Sequence, residues 1–134
     1  MVLRTGHRPS WYTRLLILAL VGLARLLARL SPLRLRRVLE RLRRGARPAT
    51  EAVAQLAWDD VVGTSVRCAG EWCLQRSIAV ALLCRVRGSW PEWRTGVRLQ
   101  PFRAHAWISV DGRAVGEHPQ EIPLYRTLMF VPPC

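Results

Sequence analysis

At 134 residues, with half of its side chains apolar, the chain has the material for one packed domain and not for a disordered one. All 21 basic residues are arginine, and their excess is regional: twelve arginines against one acid, Glu40, give +11 over residues 1–47, while nine against eight give +1 over residues 48–134. Charge of this size would attract phosphates, but no nucleic-acid recognition fold accompanies it, and no glycine-rich phosphate loop is present, so neither nucleic-acid binding nor ATP use by this chain is expected.

In chain order, residues 1–47 come first, as a basic amphipathic helical extension, its helical part Trp11 to Arg47, set apart from a catalytic domain at 48–134. Leu16, Leu20, Leu23, Leu27 and Leu30 share one helical face, and Arg14, Arg25, Arg29 and Arg36 fall near another stripe. Ser31-Pro32 divides the segment into two helices, and Gly45 to Thr50, with Pro48, is the natural boundary. The uninterrupted apolar run, Leu15 to Ala24, is ten residues, well short of the roughly 20 that a membrane span needs. Basic residues follow that run and no small-residue cleavage site is evident, so it does not read as a signal peptide. Such a segment docks on the catalytic half, on a protein partner, or as an interfacial helix on a membrane.

Cys73 then opens a helical stretch, CLQRSIAVALLCRVRG, in which Leu74, Ile78, Ala81, Leu82 and Arg85 recur at helical spacing; Gly88 is the residue after its end and Pro91 forbids continuation. A cysteine at a helix N-terminus has its thiolate favoured by the partial positive charge there, and the thiolate is the nucleophilic form. Cys84, on the same helix, reads as a buried small hydrophobe; Cys68 and Cys134 stay undecided. Cys68 and Cys73 have no second ligand pair at zinc spacing, so no metal is expected, and four cysteines without a secretion signal suit a reducing cytoplasm.

His105 lies thirty-two residues after Cys73 in an alternating strand, PFRAHAWISV, that turns at Asp111-Gly112. Ala104, Ala106, Ile108 and Val110 form its apolar face, leaving His105, Trp107 and Ser109 on the other. A two-residue Asp-Gly turn pairs Val110 with Arg113 and hence His105 with His118. A three-residue turn pairs Ser109 with Arg113 and places Glu117 opposite His105, with Cβ atoms about 5 Å apart. The second register makes Glu117 the expected orienting acid. Asp111, about 20 Å along the strand from His105, reads as turn chemistry and is the alternative third member.

The segments Cys73-Leu74-Gln75-Arg76-Ser77, Gly96-Val97, Pro101-Phe102-Arg103-Ala104-His105-Ala106-Trp107-Ile108 and Asp111-Gly112 together resemble the leader peptidase of lasso-peptide biosynthesis, across about Val66 to Leu128. The resemblance implies an α+β, minimal transglutaminase-like (papain-like) fold: a catalytic helix packed on a small antiparallel sheet. It implies a cytoplasmic thiol peptidase, with no cofactor, that removes the leader from a ribosomally made precursor peptide. Its implied partners are a small leader-binding recognition protein and an ATP-dependent lasso cyclase. Carried over, Cys73 is the nucleophile, His105 the general base and later acid, and Glu117 the residue that fixes the imidazole tautomer, where the family usually has aspartate. Backbone amides at the start of the Cys73 helix would meet the oxyanion. Arg76, one turn into that helix, and Trp107, beside His105, are candidate substrate contacts. The alternatives are acyl transfer to an amine, as in transglutaminases, and a non-catalytic basic scaffold that binds membrane or partners.

Overall fold

The computed structural model describes residues 10–64, 73–99, 102–116 and 122–133. Helix α1 (Trp11–Leu27) and helix α2 (Pro32–Leu42) meet at a corner where Ser31 and Pro32 act as expected. The Ser31 hydroxyl accepts from the Arg34 amide, and proline takes the first helical position, where no amide hydrogen is needed. Strand β1 (Arg47–Pro48) follows, then helix α3 (Glu51–Thr64), whose first turn is capped by the Thr50 hydroxyl accepting from the Val53 amide. Helix α4 (Cys73–Val86) carries the cysteine in its first described turn and ends before Gly88, which takes φ +96°, a left-handed conformation costly for other residues. Strand β2 (Ser89–Trp90) pairs in parallel with β1, and β3 (Glu92–Leu99), β4 (Phe102–Val110), β5 (Arg113–Val115) and β6 (Arg126–Val131) complete the chain. A short 3-10 turn, Ile122–Leu124, leads into β6.

The sheet is antiparallel with order β5-β4-β3-β6, and helices cover it. Helix α4 is its central partner: Ser77 to Cys84 are all buried, so the helix is apolar on nearly every side and not along one stripe. Trp93 on β3 is fully buried against it and donates from its indole to the Ser77 hydroxyl at 3.1 Å, while Ser77 donates to the Leu74 carbonyl at 2.8 Å. An indole N–H removed from water needs such a partner. Trp90 meets the same requirement by donating to the Val131 carbonyl at 3.1 Å.

Two expectations are revised here. The first concerns residues 11–47: of the placements expected of them, docking on the catalytic half is formed, and so closely that Ile17, Leu20, Val21 and Ala24 of α1 and Leu35 and Leu39 of α2 belong to the same apolar core as α4 and the sheet. Two arginines bind α2 in place. Arg85 of α4 donates to the carbonyl of Leu42, the last residue of α2, at 2.6 Å and to that of Arg44 just beyond it at 3.1 Å, and Arg43 donates to the Pro132 carbonyl at 2.8 Å. The buried face of α1 is also rotated from the leucine spacing, since Leu16 and Leu23 are exposed. The run is apolar all round, so periodicity did not single out a face, and close helix packing selected the one carrying Ala24 and Val21.

The second revision is the hairpin. Val110 pairs with Arg113, Ser109 with Ala114 and Ile108 with Val115, which is the two-residue turn and not the three-residue one. Asp111 and Gly112 take φ 52° and 80°, the pair of positive values that a type I′ turn requires. The Gly112 amide and the Ser109 hydroxyl both donate to the Glu92 carboxylate, at 3.0 and 2.7 Å, tying the turn to β3. The register that placed Glu117 opposite His105 is therefore not formed, and Glu117 itself lies outside the described residues.

Candidate active site

Cys73 lies in the first described turn of α4. His105 lies on β4 directly opposite Gly96 of β3. The packing of α4 on β4 brings the two side chains together. The Cys73 sulfur accepts hydrogen bonds from the His105 imidazole and from the backbone amide of Ala106. Burial pushes the thiol up, but these two bonds, with the positive charges of His105 and Arg76, outweigh it and hold the thiol below its ordinary value of 9.0. Cys84, eleven residues on in the same helix, shows the opposite outcome: burial pushes its thiol up to about 12, outweighing the Arg87 charge and the hydrogen bonds of its own backbone and of Ser89. One helix thus holds a nucleophilic cysteine in its first described turn and an inert one further along.

The imidazole is held by aromatic rings. Trp107 stacks near-parallel to it, at 5.8 Å between centroids and 15°, and Tyr125 approaches at 5.5 Å with a 42° tilt. Trp107 and Tyr125 are themselves 6.0 Å apart, which closes a three-ring cluster. Trp107 fits there because β3 has a glycine at 96: a Cβ at that position would lie 2.9 Å from the Trp107 ring and 2.5 Å from the Arg126 carbonyl oxygen. The β3–β6 register shifts at the same point, between Thr95 and Gly96, so β6 approaches where no side chain intervenes.

Of the candidates from sequence, Cys73, His105, Arg76 and Trp107 gather at this site. Arg76 acts on Cys73 through its charge, and its guanidinium lies over the Trp58 ring at 5.9 Å. Trp107 is almost fully buried against His105, as a support for the imidazole more than a wall open to substrate. Asp111 stands at the tip of the β4–β5 turn, outside the cleft at Cys73. Sequence reasoning missed Tyr125 and the Ala106 amide. Neither carries a local signal: one is a lone tyrosine before a strand, the other a main-chain group. Gly96 did carry one, since a glycine inside a strand pattern marks close approach of a neighbour. Among the described residues no cluster of three or more metal-ligating side chains occurs.

A thiolate beside an imidazolium that ring packing holds in place is equipped to attack a carbonyl and to protonate the departing group. A family model described as the transglutaminase-like superfamily matches residues 17–130. The chain belongs to that superfamily. The match begins within α1, in agreement with the place of that helix in the core, and takes in both Cys73 and His105. No curated protein and no solved structure matches the chain. The superfamily is one of cysteine-based acyl chemistry, which both peptidases and acyl transferases perform.

Proposed function

We propose that this transglutaminase-like domain is a cysteine peptidase that removes the leader from a lasso-peptide precursor. The observation that carries the peptidase reading is the Cys73–His105 pair, with the thiol held below its ordinary value by the imidazole. The lasso assignment is supported by the string Cys73-Leu74-Gln75-Arg76-Ser77 with Pro101 to Ile108, which resembles that family's leader peptidase. In the proposed reaction the Cys73 thiolate attacks the scissile carbonyl and an S–C bond forms. His105 gives its proton to the leaving amine as the C–N bond breaks, leaving a thioester. His105 then takes a proton from water, which attacks the thioester and frees the leader carboxylate and the thiol. Glu117, supported now by the leader-peptidase resemblance alone since its expected register is not formed, is proposed to orient the imidazole, with Asp111 the alternative.

A leader-binding protein would deliver the precursor and a cyclase would consume the freed core peptide. Replacing Cys73 by alanine tests the reading. The exchange removes sulfur with little change of volume, so the variant should fold and leave the precursor uncut when mixed with the leader-binding protein, as read by mass spectrometry. Cleavage at the parent rate would show that Cys73 is not the nucleophile.

A further inference from the structure

A cleft of about 380 Å³ opens beside Cys73 and His105, and it is assembled from parts far apart in sequence. One wall is the corner between α1 and α2, with Leu30 and Leu35; the other is the sheet, with Thr95, Val97 and Ala104, and Leu128 of β6 on its margin. Among the described residues that line it, His105 and Cys73 are the only ionisable ones. Beyond the cleft the same sheet face continues along β3 and β4. Val97 and Leu99 share that face on β3, and their cross-strand partners Ala104 and Phe102 share it on β4. Leu99, Phe102 and Leu128 are left 65, 70 and 65% exposed. Large apolar side chains left this exposed beside an apolar cleft are unusual unless something covers them.

We infer that this cleft is the acyl-side subsite, and that it takes apolar, uncharged side chains on the two residues preceding the scissile bond. The inference rests on the peptidase reading and adds the substrate class. The acyl portion stays bonded to sulfur after the amine has left, so it needs a resting place next to Cys73 while water arrives, and the cleft is the only concavity among the described pockets that Cys73 lines. An acidic or basic side chain there would lose its water without gaining a partner. The α1–α2 corner is thereby part of the specificity machinery, beyond its role in packing.

Peptidyl chloromethyl ketones, which alkylate a thiolate with loss of chloride, test the inference without needing turnover. The full-length protein is incubated with probes carrying Leu, Phe, Asp or Arg at the two positions before the ketone, and the rate of Cys73 labelling is read by mass spectrometry. Apolar probes should label on the order of 100-fold faster than Asp probes, the discrimination an apolar pocket gives against a mismatched side chain. In Leu128→Arg, a change at an exposed position that the fold tolerates, the Asp probe should gain at least tenfold relative to Leu. Equal rates for all four probes, a ratio unchanged by Leu128→Arg, or no labelling by any probe while iodoacetamide still reacts would each overturn the subsite. If apolar preference holds but no lasso precursor is cut, the leader-peptidase reading fails and the subsite stands. If precursor is cut and the probes show no preference, the reverse holds.

Discussion

A thiol in a partly buried place is ordinarily a worse acid than one in water, and Cys84 shows it. Cys73 departs from this because an imidazole, an amide and a guanidinium charge face its sulfur, so its thiolate forms below pH 9.0. The sign of the linkage follows. A folded-state value below the unfolded one adds stability that is fully present above 9.0 and is lost as pH falls through the folded value. Iodoacetamide alkylation should therefore rise with pH to a plateau whose midpoint lies below 9.0. His105→Ala removes the largest favourable contributions and should move that midpoint upward; an unmoved midpoint would mean the pair does not interact. The third residue is a separate matter at this scale. If Glu117 holds the imidazole, Glu117→Gln should lower single-turnover cleavage by orders of magnitude, by analogy with the loss of tautomer control in serine proteases, while Asp111→Asn should cost mainly turn stability. The opposite ranking would move the role to Asp111.

At the scale of elements, the strand pair β3–β4 has two jobs, and Gly96 is where they meet. It faces His105 across the ladder and leaves room for the Trp107 ring that stacks on the imidazole. Gly96→Ala puts a methyl group 2.5 Å from a main-chain oxygen that cannot turn aside, so one strand or the ring must shift. Overpacking of this type costs about 1–3 kcal/mol. Thermal unfolding should register that loss, and cleavage should fall further than the stability loss explains, because the imidazole loses its support. An alanine variant with parent stability would refute the close approach. The helix bearing Cys73 was legible from sequence in its course and its C-terminal end, because apolar periodicity and a terminal glycine are local signals. The hairpin was legible in place but not in register. Asp-Gly suits both loop lengths, and the choice fell to Glu92, eighteen residues before Val110, which accepts from Gly112 and Ser109.

Over the whole molecule, the arginine-rich first third both builds the core and faces outward. Ile17, Ala24, Leu35 and Leu39 are buried, so deletion of residues 11–47 should unfold the chain, seen as loss of a cooperative thermal transition. Its outer face is a separate property. Trp11, Tyr12, Leu15, Leu18 and Leu26 are exposed on α1, close in sequence to Arg14, Arg25 and Arg29, and no helix among the described residues is long and apolar enough to cross a membrane. Leu15→Glu with Leu18→Glu should leave the melting temperature within a few degrees while weakening pull-down of the leader-binding protein. Loss of binding to anionic liposomes alone, with pull-down intact, would assign the face to a membrane surface instead.

The sequence by itself determined what local chemistry determines: the helix that carries Cys73, the break at Ser31-Pro32, the alternating strand with its Asp-Gly turn, and the concentration of charge in the first 47 residues. Each follows from a residue's own backbone preference or from periodicity within a few turns. Tertiary structure alone decided which face of α1 is buried, that α3 and the short β1–β2 pairing exist between the two halves, and that Tyr125 stands beside His105. It also decided that the α1–α2 corner forms a wall of the Cys73 cleft. These depend on contacts between residues tens of positions apart. Burial, close packing and the search of each buried donor for an acceptor select among arrangements that local signals leave equal.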